Sequence, residues 1–378
     1  MSQRTLSWMA CIGIAGAVGA TSCRPAAPGP PLPLGQEQVP PGEAEAIPKI
    51  VQLVEEQLAK EYPPGDRPMR RDAHAKAHGC VKARFTVADS LPPEMRYGVF
   101  VPGRSYDAWV RYSNGSGLPQ ADKEGDGRGM AVKLMGVPGR KLLEGEQDAQ
   151  TQDFLMINRP VFFVRDAVDY VSFQRDQLLG HSLDYFINLE HPDSSHILGL
   201  INAQAILRQQ VGNPFAVQYW TMTPYRLGPT AAVKMSAAPC TPLDNAVPAN
   251  PGPDYLQQAM VRTLSTGGGA CFRFMVQLQT DAEKMPVEDP QIEWPTSLSP
   301  FRTVATITIP PQEFTSPEQM TFCDNLSYTP WHALPDHRPL GGINRVRLSV
   351  YQAISQMRHT ANGAPRREPT SFSIAPSN

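Results

Sequence analysis

The stretch RVRLSVYQAISQMRH, residues 345–359, sets Arg347, Tyr351 and Arg358 into an otherwise apolar sequence. At about 3.6 residues per turn, positions 347, 351, 354 and 358 share one helix face, which reads Arg, Tyr, Ile, Arg. Val350 and Ile354 mark the helix as partly buried, so its charges need partners. Two guanidiniums beside a phenol favour loss of its proton and can receive a bound anion. Arginines at a helix end round a core tyrosine are the plainer reading. Upstream, HAKAHG (74–79) spaces His74 and His78 four apart but lacks the carboxylate of a HExxH zinc motif. DKEGDG (122–127) opens like a calcium loop, yet its twelfth position is Lys133, where a bidentate Glu is required. No nucleophile elbow, P-loop or dinucleotide fingerprint is present.

Seven segments carry the Val, Phe, Tyr and Thr enrichment of strands: 80–87, 106–113, 129–136, 153–164, 215–222, 271–280 and 303–310. Residues 49–62, 166–212, 254–266 and the segment around Tyr351 read as helical. Strands on both sides of a helical insertion, with a helix closing the chain, predict an α+β protein round a large antiparallel sheet closed as a barrel. Phe162 and Phe163, in NRPVFFVRD (158–166), taken alone read as core.

The chain has 378 residues and a net charge of −2, without the basic surplus of a nucleic-acid binder. Arg4, the small apolar run 8–20 and Cys23 read as a secretory signal of lipoprotein type, with Cys23 lipidated and any membrane contact made through that lipid. Simple cleavage and secretion is the alternative. The boundaries expected are a signal over 1–22, a Pro-rich tether over 23–48, one domain over 49–362 and a loose tail over 363–378. Cys80, Cys240, Cys271 and Cys323 include no CxxC pair; disulfides and buried thiols both stay open, with three complete pairings.

In order along the chain, these segments resemble the haem-binding core of the catalase superfamily over roughly residues 67–360, and fit best its short catalase-related branch. HAK stands at 74–76, with Arg71 three residues earlier. VRYSN (110–114) matches the family's VRFST, GDGRGMAVKL (125–134) its DPRGFAVKF, and NRPVFFVRD its NTPVFFIRD. RLSVYQAISQMR (347–358) matches RLFSYPDTHRHR, whose Tyr ligates haem iron.

The resemblance implies a catalase-like antiparallel barrel with a helical insertion and a C-terminal helix carrying the ligand Tyr351. The cofactor implied is haem b, iron protoporphyrin. Tyr351 would bind iron as phenolate, aided by Arg347 one turn away. Arg71, Arg111 and Arg358 would meet the haem propionates, and Phe163 would contact the cofactor. His74 would be the distal base, positioned by Ser113, with His78 its rival. Aligned without a gap, Ile157 takes the place of the family's distal Asn, and Asn158 reaches the pocket only through a bulge. Gly115 stands where the family narrows its channel with a valine.

The expected activity is therefore a haem-dependent oxidoreductase acting on hydrogen peroxide or organic hydroperoxides, in a bacterial cell envelope, on the periplasmic side or outer surface. A haem-binding or haem-sensing lipoprotein with little turnover, and a hydroperoxide isomerase of allene-oxide-synthase type, are the alternatives. Monomer and homo-oligomer both stay open.

Overall fold

In β1 (Ala77–Val87), Val81, Ala83, Phe85 and Val87 are buried on one side, while Arg84 and Thr86 are exposed on the other. In the computed structural model, which describes residues 33–374, β2 (Ser105–Asn114), β3 (Arg128–Met135) and β4 (Thr151–Ile157) follow, buried along most of their length. Next come β5 (Tyr219–Trp220), β6 (Tyr225–Leu227), β7 (Ala231–Pro239), β8 (Ala270–Leu278) and β9 (Arg302–Ile309). Antiparallel neighbours run β5-β4-β3-β2-β1-β9-β8-β7, and β5 also pairs with β7, which closes eight strands into a barrel. Strand β6 pairs further along β7. Inside, Phe274 packs against Phe154 at 5.0 Å and Phe85 at 5.2 Å between ring centroids.

The outer face of β2–β4 is buried too: Arg111 and Ser113 are 3% exposed, and Lys133 and Asp153 are 0%. Part of its cover is α7 (Gly342–Asn362), which ends at Gly363 in the left-handed region (φ 63°). Val346, Val350 and Ile354 of α7 pack on Ile50, Val54 and Leu58 of α1 (Glu43–Glu61). That leaves Arg347, Tyr351 and Ser355 on the neighbouring stripe of α7, towards the barrel. The insertion predicted over 166–212 is three helices, α2 (Ala167–Leu178), α3 (Ser182–Phe186) and α4 (Ile197–Leu207). Helices α5 (Tyr255–Ser265) and α6 (Pro317–Asn325) complete the set.

Several expectations are corrected. The run 153–164 is a strand only as far as Ile157; Pro160 cannot donate to a ladder, and the chain leaves the sheet. Of 215–222 only Tyr219–Trp220 is strand. Strand β7 escaped prediction because AAVKMSAAP is rich in small residues. The stretch read as a tether is helical from Glu43, and Glu37 and Glu43 grip Arg345 through contacts at 2.5 Å. The tail read as loose is fastened as well. Glu368 takes hydrogen bonds from Lys133 (2.6 Å) and Thr151 (2.7 Å), and Phe372 packs on Trp109 at 5.6 Å. Disulfides join Cys80 to Cys323 and Cys240 to Cys271. Cys23 and the signal segment lie outside the described residues, among which no helix is long and apolar enough to cross a membrane.

Candidate active site

Between the outer face of β2–β4 and α7 lies a cleft of two joined chambers. Arg71, Arg111, Ser113, Gly129, Tyr328 and Arg358 line the inner one. Gly115, Asp126, Phe162, Phe163, Phe173 and Ile206 are among those lining the outer one, a cavity of about 570 Å³. Asp72, His74, Ile157, Met222, Arg347 and Tyr351 border both. The alternation of β2 explains the inner wall: Val110 and Tyr112 enter the barrel core, so Arg111 and Ser113 face out.

His74 is held from three sides. Its Nδ1 lies 3.0 Å from Ser113 Oγ, its N–H donates to the Gly115 carbonyl at 3.0 Å, and its carbonyl accepts from Arg111 Nη2 at 2.8 Å. Its backbone is left-handed (φ 61°), as is that of Met222 (φ 58°). These are the non-glycine residues with positive φ among those described, and both border the cleft. Such conformations are costly and gather at functional sites. Gly129 makes room for the ring, since a Cβ there would sit 2.6 Å from His74 Nδ1. Burial, reinforced by Arg111, holds the imidazole pKa down to about 3, so the ring is neutral at neutral pH. His78, the rival base, is 1% exposed, bonded to Asn114 at 3.0 Å and outside the cleft.

Arg71, Arg111 and Arg358 converge on the inner chamber. Arg71 donates to the Leu326 carbonyl, and Arg358 to the Asp324 carbonyl at 2.6 Å. Among the described residues none of the three forms an ion pair; Asp324 pairs with Arg70 instead, at 3.4 Å. Burial, then Arg71, lowers the Arg111 pKa to about 9. Burial, then Arg71 and Arg111, lowers that of Arg358 to about 8. The Arg111 Nε and the Tyr328 hydroxyl are buried without partners. A cluster of buried, mutually repelling cations is a receptor for anionic groups.

Tyr351 projects from α7 beside Arg347, which itself donates to Thr223 Oγ1 at 3.2 Å. Burial raises the phenol's pKa, and Arg347 and Arg71 only partly oppose it. The arginines act in the expected direction, but burial outweighs them.

Two predicted site residues lie elsewhere. Asn158 is 0% exposed and turned away from the cleft: its Oδ1 accepts from the Arg128 N–H at 2.7 Å and its Nδ2 donates to Gln209 at 2.9 Å. No bulge brings it round, because β4 pairs in regular register with β3 to Ile157, which lines the cleft instead. Phe163 lines the outer chamber, packed on Phe162 (4.5 Å) and Phe173 (4.9 Å), and not the inner one. Sequence reasoning missed Asp72, which borders both chambers with its carboxyl pKa raised by burial to about 6. Its place between Arg71 and His74 was the available signal. Tyr328 offered none, since 326–331 matches no element pattern.

An antiparallel barrel whose flank and C-terminal helix enclose a cleft of buried arginines defines the class. Residues 58–180 match the family model described as Catalase. In structure the chain is similar to a fungal catalase, at TM-score 0.57 and 18% identity over 92% of this chain and 68% of that one. It is equally similar to catalase A from Saccharomyces cerevisiae, at TM-score 0.57 and 18% identity over 92% and 69%. No curated protein matches it in sequence. The chain has the catalase fold, and the segment 58–180 carries the sequence pattern of the Catalase model.

Proposed function

We propose that the chain is a haem-dependent, catalase-like oxidoreductase that cleaves peroxides. The observation that carries this reading is the cluster of Arg71, Arg111 and Arg358, which forms no ion pair among the described residues, in a cleft that Tyr351 and His74 also face. The donor set fits haem b: three arginines for its two propionates, and a phenol for its iron. When bound, the haem would supply the iron that promotes heterolytic O–O cleavage.

The protein's own part is proton movement and positioning. Ser113 holds Nδ1 of His74 and leaves Nε2 for a proton in the cleft. Neutral His74 can accept a proton from one peroxide oxygen and deliver it to the other, which then departs as water or alcohol. Ile157 presents no amide to a peroxide, and the outer chamber holds about 570 Å³, which favours organic hydroperoxides over hydrogen peroxide. Turnover of both by the haem-loaded protein is the test; activity on neither contradicts the proposal.

The same Ile157 supports a second reading, a haem-binding protein with little turnover. His74→Ala separates the two, since a binder keeps its haem and has no activity to lose. Lipidation at Cys23, an envelope location and any homo-oligomer are further proposals, checked by mass spectrometry of the processed chain, fractionation and sedimentation.

A further inference from the structure

The HAKAHG and DKEGDG segments meet behind the wall of the cleft. Asp122, the first residue of DKEGDG, is fully buried and accepts hydrogen bonds at both carboxylate oxygens. Its Oδ1 takes Lys76 Nζ at 2.7 Å and Asn114 Nδ2 at 3.1 Å, and its Oδ2 takes the Leu256 N–H of α5 at 3.0 Å. Asn114 Oδ1 in turn lies 3.0 Å from His78 Nε2 and accepts from Arg128 Nη1. Arg128 Nη2 donates to the Asp122 carbonyl at 2.8 Å, and the Arg128 N–H to Asn158 Oδ1 at 2.7 Å.

Each member of this network stands in the chain beside a group of the cleft. Asn114 follows Ser113, Arg128 precedes Gly129, Asn158 follows Ile157, and Lys76 is two residues from His74. Neighbouring residues of a strand point to opposite faces, so the network grips from behind the backbone that carries those four groups in front. The grip also falls on a β-bulge. Strand β1 pairs Ala77 with Ser113 and Gly79 with Tyr112, which leaves His78 as the extra residue. Bulges re-aim the chain, and this one separates the regular part of β1 from the left-handed backbone of His74 (φ 61°). The carbonyl of the bulged residue is fixed as well, by Gln257 Nε2 at 2.9 Å. A costly conformation persists only where its surroundings over-determine it.

We propose that Asp122 is a positioning residue for His74. By joining Lys76, Asn114 and α5 it fixes the bulge at His78, and through the bulge the direction from which the His74 imidazole meets Ser113 Oγ and the cleft. A carboxylate suits this place because donors from three parts of the chain share its two oxygens; an amide at 122 would have one acceptor oxygen for all three. The placement of the ring stands on this geometry; its effect on turnover rests on the proposed peroxide chemistry.

The test is Asp122→Asn, an isosteric change, with Lys76→Met, at a side chain 14% exposed, as the milder variant. In the haem-free chain, nitrogen NMR of the histidine rings reads His74 directly, its signals being those missing from His74→Ala. One tautomer, protonated at Nδ1, is expected in the unsubstituted chain, and exchange between two tautomers in both variants. In the haem-loaded protein, kcat is expected to fall about tenfold to a hundredfold in Asp122→Asn. KM and haem affinity are expected to hold, since none of Arg71, Arg111 and Arg358 bonds to the network. A His74 signal unmoved in both variants overturns the proposal. So does lower thermal stability with kcat unchanged, which would make the network structural only. Should Asp122→Asn fail to fold by circular dichroism, Lys76→Met decides by the same two readings. Absence of turnover in the unsubstituted chain would count against the peroxide reading alone, and the ring signals would still decide the positioning.

Discussion

His74 and the arginines do their work by what surrounds them. The imidazole is buried, cation-flanked and neutral, so it is a proton acceptor throughout the neutral range. His74→Ala is expected to lower peroxide turnover by about a hundred- to ten-thousandfold, with haem uptake retained, as steady-state rates and a haem titration would show. Acidification from pH 8 to 5 should leave the contribution of His74 to the rate unchanged, because protonation of the ring begins near its lowered pKa of about 3. The arginine cluster predicts effects of opposite sign. Arg111→Leu removes a buried cation that repels Arg358, so the haem-free protein should melt higher. Haem affinity should fall about tenfold to a hundredfold with the lost charge-assisted bond. Lower stability together with undiminished haem affinity would contradict the anion-receptor reading. Arginines, tyrosine and histidine were legible in the sequence because their motifs hold spacing. The failure of Asn158 was legible only as a doubt over register, and depends on β4 running unbroken to Ile157.

Elements decide which of these groups meet. Helix α7 was readable from its periodicity, and its partner α1 from Ile50, Val54 and Leu58, because burial on one face imposes the helical period. The tether and tail misled because composition reports local preference, whereas Glu37 and Glu368 are held by partners about 300 and 235 residues away in sequence. Helix α6 was not predicted; in the fold the Ser316 hydroxyl caps it by accepting from the Gln319 N–H at 3.2 Å, and Pro317 occupies the first turn. Its role emerges only in the fold. Cys80–Cys323 ties α6 to β1 just before the Asp324 and Leu326 carbonyls that hold Arg358 and Arg71. Cys80→Ser/Cys323→Ser should therefore cost about 2–5 kcal/mol of stability and also weaken haem binding, both read in one denaturation series with and without haem. On β3, Gly129→Ala would place a methyl 2.6 Å from His74 Nδ1 and 2.8 Å from Ser113 Oγ. Turnover should drop towards that of His74→Ala while the barrel persists by circular dichroism.

At the scale of the whole molecule, the barrel carries buried neutral histidines away from the cleft. His78 and His337 are 1% and 0% exposed, and burial lowers each pKa from 6.5 to about 4. His337 Nε2 accepts the Val99 N–H at 3.0 Å, which requires the unprotonated ring. Below the unfolded pKa the unfolded chain binds protons that the fold refuses, so stability falls as pH drops from about 6.5 towards 4. Two such groups give a slope approaching ~2.7 kcal/mol per pH unit. Urea midpoints at pH 4.5 and 6.5 check this, and equal midpoints would show that these rings titrate normally. The barrel itself was legible as a fold class, since alternating strands flank helices, but its closure through β5 and β7 was not, resting on a two-residue strand. The outer face of β2–β4 becomes a site because α7 lies over it, and Tyr351 on that helix is the claim on which the functional account depends. The most direct measurement is the absorption spectrum of the haem-loaded chain beside that of Tyr351→Phe. A high-spin ferric Soret band is expected in the first, lost or shifted in the second. Identical spectra, or no haem bound by either protein, would contradict that claim.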